Sequence, residues 1–318
     1  MQFNRLTHPL INKYFSALSV VFLFFLSLLM MFRQLTTPAY FSIVNNDAYS
    51  YSSWAFQLSN ALREGIIYPR WMPLDFAGYG SPTFVYYPPL SFYIVAFFNI
   101  FTDSTTIAMN ITRFLSLFLS GTGLFFLGKE IYSERSAAVA AVFYLLLPYN
   151  VMHFYLLGSF ASSVSFMWFS PILLGSYKYV QTDQFKYLAY AGICYSGLIL
   201  THVINAYMFT FVVLAFIVFL FLTNRKWNYL FTGMLMLLAG VSLSAAYVLP
   251  LAYEKNLINV SGFLQGGSFY FAKCFIQPHM MDKAFVNLFW PFNYDTFAMF
   301  ALVIFYCCIA FIFIISIY

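Results

Sequence analysis

Nine apolar runs constrain this chain more than any other feature. They fall at roughly 14–32, 88–101, 107–128, 137–157, 164–180, 187–203, 206–222, 229–250 and 298–318. Only 8% of the residues are charged and 62% are hydrophobic, whereas a soluble domain carries about a quarter charged residues. So few charges cannot cover a water-facing surface, and the medium around most of the chain is therefore lipid. In hydrocarbon the backbone must bond to itself, and runs of about 20 apolar residues do this as α-helices. The expected fold is all-α: a polytopic transmembrane helical bundle, one domain over residues 1–318. The formal charge of +5 includes no basic run suited to nucleic acid. Membrane lipids are the expected surroundings.

Charge placement sets the topology. If every run spans, Arg225 and Lys226 fall in a short outer loop, against the positive-inside rule. The run 88–101 is the weak member, with 14 residues and two opening prolines, short of the roughly 17–25 needed to cross. With that run at the interface, Lys129, Arg135, Lys186, Arg225 and Lys226 join Arg5 and Lys13 on the cytoplasmic side, and Lys178 sits at a cytoplasmic helix end. Eight of the fifteen Lys and Arg residues then lie in short connections on one side. The sequence thus predicts eight spans, a cytoplasmic N-terminus and a retained first helix. Two long segments lie outside: loop 1 at about 33–106, with interfacial helices, and a second at about 251–297.

Within loop 1 the spacing predicts an amphipathic helix over 47–64. Tyr51, Trp54, Ala55, Leu58 and Leu62 share one face, Asn46 or Asp47 caps the start, and Gly65 ends it. Such a helix is expected to lie flat on the membrane. Asp47, just above the surface, suits a general base that takes a proton from a hydroxyl; it equally suits the cap, and the roles are compatible. In Tyr68-Pro69-Arg70-Trp71, Arg70 offers a planar cationic fork for phosphate, or else a lipid-headgroup anchor. Gly78-Tyr79-Gly80 and Tyr86-Tyr87-Pro88-Pro89 suit a rigid turn.

Arg113 lies inside a spanning run, where charge is costly and marks function by default; snorkelling, or pairing with a carboxylate such as Asp103, is the competing reading. His202, at the outer end of a helix, suits a hydrogen bond to phosphate or sugar, or a satisfied packed histidine. His153 lies in a helix kinked by Pro148. Four cysteines, Cys194, Cys274, Cys307 and Cys308, form no CxxC pair; the last two read as packed or lipid-facing thiols. His279 and Asp282 lack a further ligand at metal spacing.

Taken together, Asp47, Gly65 to Trp71, Gly78-Tyr79-Gly80, Tyr87-Pro88-Pro89-Leu90, Leu147-Pro148-Tyr149, Thr201-His202 and Leu249-Pro250 resemble a known pattern. It is that of the GT-C superfamily of polytopic glycosyltransferases and, more closely, of bacterial membrane proteins described as 6-pyruvoyl-tetrahydropterin synthase-related. The resemblance covers about residues 1–260. It implies a GT-C-like fold in a bacterial inner membrane, with an active site at the outer face. There a sugar passes from a polyprenyl-phosphate carrier, the expected lipid-linked donor and partner, to a cell-envelope acceptor. Asp47 is then the general base, and Arg70, His202, Arg113 and Tyr68 are the candidate substrate contacts. No resident cofactor is implied, although some members bind a divalent metal. The soluble synthase of similar name needs a zinc-binding histidine cluster, which this sequence does not show. Relatives often read Arg-Gly-Ser-Phe-Ala-Glu at the second outer turn; here the turn is Leu157-Gly158-Ser159-Phe160-Ala161-Ser162. Relatives also carry further C-terminal helices. The alternatives are a non-catalytic protein of lipid or polysaccharide handling, and a transporter, which often shows inverted repeats.

Overall fold

The computed structural model describes residues 9–36, 47–156 and 158–258. The last apolar run, three of the cysteines, His279, Asp282 and most of the second outer segment lie outside the described residues. The chain divides into Met1–Lys255 and Asn256–Tyr318, and the fold described is that of the first unit.

Its helices are α1 (Pro9–Thr36), α2 (Asp47–Arg63), α3 (Thr83–Tyr86), α4 (Leu90–Thr102), α5 (Thr105–Ile131), α6 (Glu134–Leu146), α7 (Pro148–Val151), α8 (Phe160–Ser165), α9 (Phe169–Thr182), α10 (Phe185–Thr201), α11 (Val203–Asn224), α12 (Asn228–Leu243) and α13 (Ala245–Glu254). A π-helical turn, Met152–Leu156, follows α7. No strand occurs among the described residues, only an antiparallel bridge between Met72 and Ser81. Local chemistry sets several helix ends. Ser104 and Ser133 accept the backbone N–H groups of Ile107 and Ser136 at the starts of α5 and α6. Gly65, at φ +86°, ends α2.

The bundle buries polar side chains among its apolar clusters and turns apolar faces outward. On α1, Leu18, Phe22, Phe25, Leu29 and Phe32 are all more than half exposed, while Leu23, Ser27 and Met31 are buried. The exposed stripe recurs every three to four residues, so one whole face of the helix is greasy. A stripe of that size is stable against lipid and not against water. Inside, small residues let backbones approach. A Cβ on Gly128 would stand 3.0 Å from the Ala137 Cβ between α5 and α6, and one on Gly175 would stand 2.8 Å from the Tyr187 carbonyl oxygen between α9 and α10.

Three ion pairs lie at one end of the bundle. Lys129 pairs with Glu134, and its Nζ donates to Ser16 of α1 at 2.7 Å. Lys178 pairs with Glu130 at 2.8 Å, and Lys226 with Asp183 at 3.6 Å. The opposite end carries loop 1, His202 and Glu254.

One expectation needs correction, and one reaches past the described residues. Among the described residues three helices are long and apolar enough to cross a membrane (Tyr14–Thr36, Thr105–Ile131 and Val203–Asn224), or up to five if each of two bent pairs is one span; of the eight expected spans, 298–318 lies outside the described residues. The bends are 41° between α6 and the Pro148–Tyr155 segment and 76° between α12 and the segment from Ala245. Counting apolar residues does not see such breaks. Run 164–180 is likewise divided by a short 3-10 turn at Phe166–Trp168, and α10 has only 17 residues. The run placed at the interface, α4, is a 13-residue helix.

The correction concerns α2. It spans the expected residues, and Tyr51, Ala55 and Leu58 of its expected face are buried. That face does not lie on lipid. It packs with Phe92 and Val95 of α4, Met109 of α5 and Phe160 of α8.

Candidate functional site

Loop 1 folds as a compact layer over one end of the bundle, and Asp75 organises it. Its carboxylate accepts from Trp54 Nε1 at 2.8 Å, Gln57 Nε2 at 3.1 Å, Ser81 Oγ at 2.6 Å and Thr83 Oγ1 at 2.9 Å. Gln57 returns a bond, its Oε1 accepting the Leu74 N–H at 2.8 Å. One carboxylate thereby fastens α2, the 72–82 turn and α3 together. Sequence reading missed Asp75 because its partners are scattered over thirty positions with no local pattern; an acid inside an aromatic, glycine-rich turn was the available signal.

Asp47 opens α2 and is exposed. One turn further on, Tyr51 shares a 3.1 Å hydrogen bond with the Tyr87 hydroxyl. Burial raises the Tyr87 hydroxyl pKa well above its ordinary value, with Tyr51 and Asp47 adding to the shift. The phenol therefore stays neutral beside the carboxylate.

Tyr68 donates to the Phe84 carbonyl at 2.8 Å. Burial pushes its hydroxyl up, and Arg70 pulls it part of the way back. Arg70 forms an ion pair with Glu254 of α13. The Glu254 carbonyl accepts the Tyr86 hydroxyl at 3.1 Å, and Tyr247 of α13 donates to the Tyr86 carbonyl at 2.9 Å. Arg70 thus reaches the segment that carries the Tyr86-Tyr87 pair.

His202 joins α10 to α11. Its Nδ1 accepts the Asn205 N–H at 3.1 Å, as a helix cap. Burial, with a smaller contribution from His153, lowers its pKa to about 4. The ring is neutral at pH 7 and, with Nδ1 accepting, carries its proton on Nε2. The Asn205 amide donates to Ser162 Oγ at 3.0 Å and Ser165 Oγ at 2.7 Å, so the turn expected to hold an acid supplies hydroxyls.

Arg113 does not pair with Asp103, which instead lies 3.7 Å from Arg63. It is fully buried. Its guanidinium donates to the Phe154 carbonyl and sits 5.5 Å from the centre of the Phe154 ring. The same carbonyl accepts Gln34 Nε2 of α1 at 3.3 Å. Arg113 holds the π-helical turn in place and is out of reach of a ligand at the surface.

Two cavities adjoin this layer. One is a lateral groove of about 750 Å³, walled almost wholly by apolar side chains of α4, α5, α9 and α10. It runs from Thr112 to Phe126 along α5, about 21 Å at 1.5 Å per residue. Tyr93, on its α4 wall, donates to the Ile67 carbonyl of loop 1 at 2.6 Å. Burial holds the Tyr93 hydroxyl up at about 12, so the bond stays intact at neutral pH. The other cavity, about 610 Å³, lies between α2 and the 66–74 segment and includes Tyr68, Arg70 and Trp71. Asp47 stands at the far end of α2 from Asn60 of this cavity, about 20 Å away along the axis. Among the described residues no group of three or more His, Cys, Asp or Glu side chains could hold a metal.

An all-helical bundle with lipid-suited outer faces and a folded loop layer at one end defines a polytopic membrane protein. The chain belongs to the family described as 6-pyruvoyl-tetrahydropterin synthase related domain, membrane protein, whose model matches residues 84–317. No curated protein matches it.

Proposed function

We propose that the protein is a GT-C-like glycosyltransferase of a bacterial inner membrane, moving a sugar from a polyprenyl-phosphate carrier to a cell-envelope acceptor at the outer face. The observation that carries this reading is the lateral groove. It is apolar, about as long as one leaflet is deep, and Tyr93 of its wall bonds to Ile67, next to the segment of Tyr68 and Arg70. A prenyl chain suits the groove, and a phosphate suits the Arg70 guanidinium of that neighbouring segment. In the reaction Asp47 takes the proton of the acceptor hydroxyl, the oxygen bonds to the anomeric carbon, and the prenyl phosphate leaves with the electrons of the broken C–O bond. His202 and Tyr68 are proposed sugar or phosphate contacts. The Lys- and Arg-rich end is cytoplasmic by the positive-inside rule, which puts the N-terminus there as well.

The test is transfer by purified protein in lipid nanodiscs, supplied with a radiolabelled polyprenyl-phosphate sugar and envelope acceptors. Transfer abolished by Asp47→Asn is the expected result; no transfer, or transfer unaffected by Asp47→Asn, overturns the proposal. A second reading is a non-catalytic protein that handles lipid or polysaccharide. It is favoured by the engagement of Arg70 with Glu254 and by Ser162 at the turn where relatives have an acid. That reading expects a photoreactive prenyl phosphate to label the groove without any transfer.

A further inference from the structure

We propose that the 610 Å³ cavity beside α2 is a carbohydrate site with Trp71 as its stacking platform. This rests on the proposed function in one respect: it names the acceptor as a glycan.

The platform is built by the backbone. Gly80 has φ +79°, and a Cβ there would stand 2.4–2.7 Å from the Trp71 indole. Only glycine leaves room for the ring to lie against this turn. The Met72–Ser81 bridge, with N···O distances of 2.8 and 3.0 Å, fixes the spacing between the two segments. Trp71 is pinned on one side yet remains 54% exposed and lines the cavity. A large ring held rigid in its free state costs little ordering entropy when a ligand stacks on it.

The α2 wall supplies the polar groups. Asn60 and Glu64 line the cavity, and the side chain of neither is hydrogen-bonded among the described residues. An amide and a carboxylate offer both donors and acceptors to vicinal hydroxyls. Arg70 of the same lining is the donor-phosphate contact of the proposed function and pairs with Glu254, so the glycan contacts assigned here are Trp71, Asn60 and Glu64. The volume lies within the range of about 300–1,000 Å³ typical of small-molecule sites. An apolar ring face with hydroxyls around its edge is the chemistry that matches an aromatic platform with polar groups beside it.

The experiment is isothermal calorimetry on the full chain in nanodiscs, using maltotriose, cellotriose and chitotriose as probes with no lipid-linked donor present. Saturable binding of at least one probe is expected. Trp71→Ala should weaken it about tenfold, or ~1.4 kcal/mol, with Glu64→Gln weakening it less. Because Trp71→Ala can disturb the turn, Trp71→Phe is measured beside it and should keep most of the affinity. No saturable binding of any probe, or equal binding by Trp71→Ala, overturns the proposal. So does stronger saturable binding of AMP than of the sugars. Quenching by brominated phospholipid of the fluorescence lost in Trp71→Phe also overturns it, since the ring is then a membrane anchor. A protein that binds a trisaccharide but transfers nothing defeats the proposed function and keeps this site. A transferase that binds none does the reverse.

Discussion

The loop 1 layer and the helical bundle beneath it are built on opposite rules. In the layer, Leu58, Phe84 and Phe92 are fully buried, and the polar side chains are tied into a network around Asp75. This is the construction of a small soluble domain, stabilised by removing apolar surface from water. In the bundle the largest apolar side chains of α1 and α11 face outward, while serines such as Ser27, Ser116 and Ser165 are fully enclosed. Lipid gives no hydrophobic drive between helices, so close packing of small residues takes its place. One chain therefore holds two cores that answer to two solvents, and they should fail separately.

The strongest way to break that equivalence is Asp75→Ala. It takes the shared acceptor from Trp54, Gln57, Ser81 and Thr83 at one point, leaving Gln57 its bond to Ser53 and the Ser81 and Thr83 hydroxyls only each other. Removing such a charged acceptor is expected to cost the layer about 3–5 kcal/mol. Hydrogen exchange across residues 66–86 should rise sharply while exchange in α5 and α10 stays slow. Unchanged exchange in the layer would show that Asp75 does not organise it. The reverse experiment is Gly175→Leu, which drives a side chain into Tyr187 and Ala191. A loss of about 1–3 kcal/mol is expected, seen as a lower melting temperature in detergent with slow exchange retained around Asp75.

A smaller effect tests the junction. His202→Ala removes the α11 cap at a cost of about 1 kcal/mol. The native pKa near 4 lies below the ordinary 6.5, so the unfolded state binds more protons between those values. The contribution is complete above pH 6.5 and is lost as pH falls toward 4. Melting temperature against pH should slope over that window in the wild type and flatten in His202→Gln. The smallest effect is expected from Arg63→Ala. Its pair with Asp103 is 3.7 Å long, with side chains 53% and 91% exposed, and the change should stay under about 0.5 kcal/mol by thermal denaturation.

Much of the layer's outline was legible in the sequence. The limits of α2 and its buried face follow from helical periodicity and Gly65, because side-chain spacing on one helix is a local property. What that face meets is not local: an apolar stripe reads the same whether lipid or Phe92 covers it. The bundle reads as helical from composition alone, but the bends after Leu146 and Leu243 do not, since they come from geometry that hydropathy does not record. Within the candidate site, Arg70, Tyr68 and Trp71 stood out as residue types, and the structure brings them to one cavity. The partners of Asp75 and the Arg70–Glu254 pair were not legible, because each joins segments apart in the chain. Arg113 stood out as an intramembrane charge; its partner, a backbone carbonyl, leaves no mark in a sequence.

That carbonyl has a consequence for the order of assembly. Phe154 O accepts from Gln34 of α1 and from Arg113 of α5, and both helices precede it in the chain. During synthesis α1 and α5 emerge first, so both grips are available when the π-helical turn arrives. Until it does, the Arg113 guanidinium lacks this carbonyl, and charge inside a membrane helix is costly to leave short of a partner. The turn thereby acts as a clasp that closes the first half of the bundle, and Arg113→Leu should be felt in the yield of inserted, correctly assembled protein before it is felt at any ligand site.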